Sequence, residues 1–205
     1  MEQYDGAEAF IEVLNAHGVD HIFFNPGGEM GALLATISKF RILGKPAPQL
    51  ILCLDESVAL TAAHGHYMVS GRPQVVMVHA ELGTLQLGGA LHNAQWGRIP
   101  VILWAGAQPT GQRVDWMNEP YDQGMSVRNS VKWDHTIKPD ENIHDVLQKA
   151  FQTAFTEPRG PVYLCYPRDT ITKRIDRVAI PRPATVAAPA AAPVDVKTLS
   201  GVADA

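Results

Sequence analysis

Two kinds of segment take turns along this chain: short apolar runs, and longer stretches with apolar residues three or four apart. The runs are His21–Phe24, Gln49–Leu54, Gln74–Val78, Val101–Ala105 and Pro161–Cys165. They lack regular polar alternation, which fits strands covered on both faces, as in a parallel sheet. The stretches between them predict helices. Asp5 can cap one that runs to Ala16, with Phe10 and Leu14 four apart and Gly18 as its stop. Others are expected over Glu29–Lys39, over Glu56–Val69 with Gly71 beyond its end, and over Thr84–Gln95. Asp140 is the expected cap of an amphipathic helix ending at Phe155, with Ile143, Val146, Leu147, Ala150 and Phe151 on one face. Gln108–Val131 is polar and rich in Gly, Asp and Asn, so a loop with a short helical piece is expected there. The sum is an α/β fold: a doubly wound, mainly parallel sheet of about six strands, with helices on both faces. It fills residues 1–178. Residues 179–205 change character, with Pro and Ala dominating Ile180–Pro193, and read as a linker leading into a second domain that these residues do not contain.

Composition narrows the function without naming it. A net charge of −4 and a pI near 6.0 leave no basic footprint for nucleic acid. No stretch approaches the roughly 20 apolar residues of a membrane span, and no signal pattern opens the chain, so the cytoplasm is the expected compartment. Cys53 and Cys165 both fall in apolar runs and read as buried free thiols.

In open α/β sheets, ligands bind beyond the carboxyl ends of the strands. Three segments converge there: Asn25–Glu29, Asp55-Glu56 and His79–Gln86. On local chemistry alone, Asp55 caps a helix and Glu56 sits in its first turn, favoured by the dipole. The other reading holds Glu56 out of water for chemistry. His64 and His66 are two apart on one helix, point to different faces and do not make a metal pair, so structural roles are expected for both. Trp104, Trp116 and Gln112 are candidates for the border of a cleft, without assigned roles. No nucleotide-type phosphate loop occurs.

Several segments, in this order, carry a resemblance: HGVDHIFFNPGG (17–28), Glu56, AAHGHYMVSGRPQVVMVHAELGT (62–84), GGALHNAQWGRIPVILWAG (88–106), SVKW (130–133) and PRGPVYLCYPRD (158–169). Over residues 3–175 the chain resembles the N-terminal, pyrimidine-binding domain of thiamin-diphosphate enzymes of the acetolactate synthase / benzoylformate decarboxylase type. The resemblance implies a lyase or transferase acting on 2-oxo acids, with thiamin diphosphate and Mg2+ as cofactors. It implies that Glu56 bonds a ring nitrogen of the cofactor's aminopyrimidine and favours the imino form that serves as base. Burial disfavours a charged carboxylate, which is why such a group can share a proton. His79 would face the substrate and handle protons. Pro26, Gly27 and Gly28 would pack against the pyrimidine, and Gly83, Thr84 and Gln86 would flank the cleft.

The resemblance is imperfect. Gly28 matches acetolactate synthases but not the benzoylformate branch, and Glu81-Leu82 stands where small residues are usual. The Gly-Asp-Gly…Asn element that holds the metal and diphosphate is absent from these 205 residues. Mg2+ ligands are therefore expected in a C-terminal domain, the active site between chains of a homodimer or homotetramer, and no turnover from this piece alone. Two alternatives stay open: a non-catalytic or regulatory domain of the same fold, and the α subunit of a split 2-oxo-acid decarboxylase.

Overall fold

A computed structural model describes residues 4–112 and 122–176. The fold begins with α1 (Gly6–Ala16), started by the Asp5 carboxylate, which accepts the Glu8 amide at 3.0 Å. Then follow β1 (His21–Phe24), a 3-10 turn (Gly28–Met30) running into α2 (Gly31–Ile42), β2 (Gln49–Leu52) and α3 (Glu56–Ser70). The second half holds β3 (Gln74–Val78), α4 (Ala80–Gln86), α5 (Gly88–Trp96), β4 (Val101–Ala107), β5 (Trp133–Thr136), α6 (Ile143–Phe155), β6 (Val162–Pro167) and α7 (Arg168–Ile171).

The strands form one sheet in the order β2-β1-β3-β4-β6-β5, every pairing parallel. All carboxyl ends therefore share one edge. The chain winds outward from β1 to β2, then crosses back to β3 and continues the other way. The switch point lies between β1 and β3, where neighbouring connections leave the sheet in opposite directions and open a crevice. Two apolar cores cover the faces. One joins α1, α2 and α6 to the sheet through Phe10, Leu14, Leu33 and Phe151; the other joins α3 and α5 through Leu60, Ala63 and Leu91. Cys53 and Cys165 are buried free thiols, as expected.

The departures from the sequence reading have local causes. The helix expected over Thr84–Gln95 starts four residues earlier and is two helices, because the chain turns at Ala80 (φ 40°) and is jointed at Leu87. The helix expected from Glu29 begins with a 3-10 turn, and its regular part starts at Gly31. Asn142, not Asp140, caps α6, its side chain accepting the His144 amide at 3.0 Å. β4 and β6 run two residues further than expected, and β2 two residues less. Trp104, a candidate for the cleft border, is wholly buried in the core. The 3-10 turns Gln123–Ser126 and Arg128–Ser130 fall within the expected loop. The expected linker at 179–205 and Trp116 lie outside the described residues, as does the side chain of Gln112.

Candidate active site

The carboxyl edge gathers three acids and one histidine. Asp55 caps α3: its carboxylate accepts the amides of Ser57 (2.8 Å) and Val58 (3.3 Å) and the Ser57 hydroxyl. These bonds, the Ser57 hydroxyl first, hold the Asp55 carboxyl below the usual range. With the helix start thus satisfied, Glu56 is free of capping duty. It is 7% exposed, and among the described residues no hydrogen bond or ion pair meets its carboxylate. The residue is mostly covered, but its carboxylate oxygens are not among the polar side-chain atoms shut off from solvent, so the group keeps an opening on the side where no protein partner meets it. Opposite it lies Gly83, where an added Cβ would come 2.9 Å from Glu56 Oε1 and 3.0 Å from Val78 Cβ. A side chain at 83 would close the space that Glu56 faces.

The second constellation sits at the switch point itself. His79 leaves β3, and Glu29 leaves β1 through the Asn25-Pro26-Gly27-Gly28 turn. Parallel pairing of Phe24 with Met77 brings these two ends together, and the Asn25 amide donates to the Met77 carbonyl at 3.2 Å. Glu29 Oε1 then lies 2.5 Å from His79 Nδ1, with the Glu29 side chain 5% and the His79 side chain 35% exposed. Two glycines make the room. A Cβ at Gly106, near the end of β4, would overlap the Glu29 side chain, and one at Gly27 would strike His79 Nδ1. The left-handed backbone at Ala80 costs an alanine about 1 kcal/mol and fixes the turn directly behind His79. Because Nδ1 faces Glu29, Nε2 is the ring nitrogen left for another partner.

Glu29 and Gly106 were not singled out from the sequence. Glu29 reads there as an ordinary first-turn acid; a glycine within the apolar run of β4 was the available signal. The other expected residues divide. Pro26 and Gly28 are exposed on the turn, and nothing lies within 4 Å of a Cβ added at Gly28. Thr84 faces inward, its hydroxyl donating to the Ala80 carbonyl at 2.6 Å and lying 2.8 Å from the Tyr163 hydroxyl. Gln86 is exposed at the end of α4, and Glu81 is half-buried in its first turn. An open cavity of about 620 Å3 is lined in part by Gly28, Glu29, Pro109, Arg168 and Asp169. Exposed apolar side chains rise around Glu56: Leu52 and Leu54 before it, Val58 after it, and Leu82 and Leu85 on α4.

Known proteins resemble this chain in sequence and in fold. The benzoylformate decarboxylase of Pseudomonas aeruginosa is 33% identical over 193 residues, covering 87% of this chain and 35% of that protein. The acetolactate synthase of Bacillus subtilis is 26% identical over 182 residues, covering 86% of this chain and 31% of its own length. The chain thus spans about a third of the length of these relatives. Among solved structures, a thiamine diphosphate-dependent 4-hydroxybenzoylformate decarboxylase from Rhodococcus jostii superposes with a TM-score of 0.81 at 25% identity, over 97% of this chain and 36% of that one. Residues 4–127 match the family model described as the thiamine pyrophosphate enzyme N-terminal TPP binding domain, and the chain belongs to that family.

Proposed function

We propose that this chain is the pyrimidine-binding part of a thiamin-diphosphate enzyme that decarboxylates or ligates 2-oxo acids, with Glu56 as the carboxylate that activates the cofactor. The observation that carries this reading is Glu56 itself, mostly covered yet open at an unpartnered carboxylate beside Gly83. A protonated ring nitrogen is the partner such a group lacks, so the residues present fit an aminopyrimidine.

When bound, the cofactor supplies the nucleophilic carbon and the electron sink for cleavage of the bond next to the oxo group. The chain's own residues do the rest. Glu56 would share a proton with the cofactor at one carboxylate oxygen. Asp55, by capping α3, fixes the helix start from which Glu56 projects. Gly83 leaves the facing space open. His79, gripped at Nδ1 by Glu29, presents Nε2 to take or deliver a proton as carbon dioxide or product leaves. The Glu29 carboxylate keeps the imidazole in one tautomer and orientation, as a positioning group.

Mg2+ belongs to the same reading, with ligands supplied by a C-terminal domain. Among the described residues, the one cluster with metal-ligand types, Asp20, His21 and His66, lies at the opposite edge of the sheet. The exposed leucines around Glu56 suit burial under a second copy, which supports reading the site as one between chains of a homo-oligomer. In the complete protein, Glu56→Gln should lower turnover by orders of magnitude while the circular dichroism spectrum stays unchanged. Near-normal turnover would remove Glu56 from the mechanism. The non-catalytic alternative is tested by titrating thiamin diphosphate with magnesium, since it predicts no binding even at millimolar cofactor.

A further inference from the structure

At the amino edge of the sheet, away from the site above, Asp20, His21, His66 and Gln74 meet around one point. Asp20 and His21 open β1, His66 belongs to the later turns of α3, and Gln74 opens β3. A ligand atom from each of Asp20, His21 and His66 lies within 4.8 Å of the other two. Asp20 Oδ1 is 2.9 Å from His21 Nδ1, and the two histidine rings stand 4.8 Å apart, centroid to centroid.

The polar bookkeeping does not close. The Gln74 amide nitrogen faces three acceptors with two hydrogens: His66 Nδ1 at 2.9 Å, Asp20 Oδ1 at 3.2 Å and the Arg72 carbonyl at 3.2 Å. Gln74 is wholly buried, and its Oε1 has no partner. His21 Nδ1 is shut off from solvent; Asp20 Oδ1 is near it but out of line for a hydrogen bond. The Ser70 hydroxyl also lies 3.0 Å from His66 Nδ1, so besides Arg72 the donors described here are two neutral groups, and the buried Gln74 Oε1 and His21 Nδ1 stay without a hydrogen-bond partner.

We propose that this cluster is a binding site for a divalent transition cation of the zinc class, with Asp20, His21 and His66 as ligands. Gln74 completes it: a half-turn of its amide replaces Nε2 by the idle Oε1 as the fourth ligand. Imidazole and one carboxylate suit Zn2+, Co2+ or Ni2+, whereas Mg2+ prefers an all-oxygen shell. Zinc bonds of about 2.0–2.2 Å put tetrahedral ligands about 3.5 Å apart, so the cluster must draw in by about 1 Å. The Arg72 guanidinium, 2.8 Å from Asp20 Oδ2, holds the carboxylate from outside and leaves Oδ1 to the cation. Its positive charge, mostly in solvent, limits affinity without filling the site. The ion would tie β1 to the end of α3 distant from Glu56.

The test is a Zn2+ titration of the complete protein after chelator treatment, repeated with Co2+ for its visible spectrum and in the presence of excess Mg2+. Expected are one equivalent of Zn2+ that Mg2+ does not displace, a tetrahedral Co2+ band, and a raised melting midpoint. His66→Gln, half-exposed on a helix, should fold as wild type when metal-free and bind at least tenfold more weakly. His21→Gln should do the same, which covers the case of either variant folding poorly. The proposal fails if no equivalent binds at about 100 µM Zn2+, a hundred times a micromolar dissociation constant. It also fails if Mg2+ competes at millimolar concentration, or if both folded variants bind like wild type.

Discussion

Glu56→Gln should make the cofactor-free chain more stable, although it removes the residue assigned the central chemical role. The change keeps shape and volume and deletes one charge. Two opposing effects decide the sign. The α3 amino end favours a negative first-turn residue by about 0.3–1 kcal/mol. Against that, Glu56 is 7% exposed as a residue and its partnerless carboxylate keeps only an opening to solvent, so it carries a desolvation cost near the lower end of about 1–3 kcal/mol, most of which a neutral amide avoids. Asp55 already satisfies the first amides of the helix, so the glutamine variant forfeits no capping bond. The desolvation effect wins by up to about 1 kcal/mol. For a chain of this size that is a rise of up to about 4 °C in the melting midpoint. Differential scanning calorimetry without cofactor measures it, with Asp55→Asn as a control that should lower the midpoint. A midpoint for Glu56→Gln at or below wild type would show that Glu56 is already paired or hydrated in the fold. The case for it as a vacant partner would then collapse. Adding thiamin diphosphate and magnesium to the complete protein should reverse the order, because only the carboxylate can share the cofactor's proton.

Three further outcomes follow from the same contacts. Gly106→Ala forces a Cβ into the Glu29 side chain and should cost about 1–3 kcal/mol, and Glu29→Ala in the same chain should return most of it; additive urea midpoints would contradict the contact. In the complete enzyme, Glu29→Gln keeps the fold but exchanges the charge-assisted bond to His79 for a neutral one. Discounted for the partial exposure of His79, this is about 1–2 kcal/mol, or about 5- to 30-fold in kcat with little change in KM; Glu29→Asp should recover part of it, and an unchanged kcat would leave Glu29 a structural residue. His17, stacked 4.0 Å from the Phe151 ring, is pushed by burial from 6.5 down to about 4. The unfolded chain therefore takes up that proton first, and the stability from a neutral His17, complete above pH 6.5, drains away as the pH falls towards 4. Allowing for partial exposure, about 1–2 kcal/mol is at stake; urea midpoints at pH 7.5 and 5 should differ less in His17→Gln, and an equal difference would refute the assignment.

What could be read from the sequence was what short-range pattern encodes. β1, β3, β4 and β6 are fully covered or nearly so, and their apolar runs announce it. β5, Trp133-Asp134-His135-Thr136, is a half-buried edge strand whose Asp and His answer to local partners, Arg128 and Glu141, so it carries no strand signature. The position of Glu56 in the first turn of α3 was legible because the Asp55 cap and the strand before it are adjacent in the chain, whereas the role proposed for it came from the family resemblance. Glu29 was not, because its partner His79 is fifty residues away and only the β1–β3 register joins them. The same holds for His66: helical spacing correctly separates it from His64, but cannot show that β1 brings Asp20 and His21 to it. Both unforeseen clusters lie along the β1–β3 seam, one at each end, and topology explains why. At that seam the chain reverses its winding direction, so no connecting helix packs directly over the carboxyl end, and the turns after β1 and β3 face each other across the gap. Polar groups there can meet without an intervening backbone to satisfy them. A winding reversal thus leaves an enclosed, polar crevice that pattern along the chain cannot reveal, and in this protein it holds the Glu29–His79 pair beside the unpartnered Glu56.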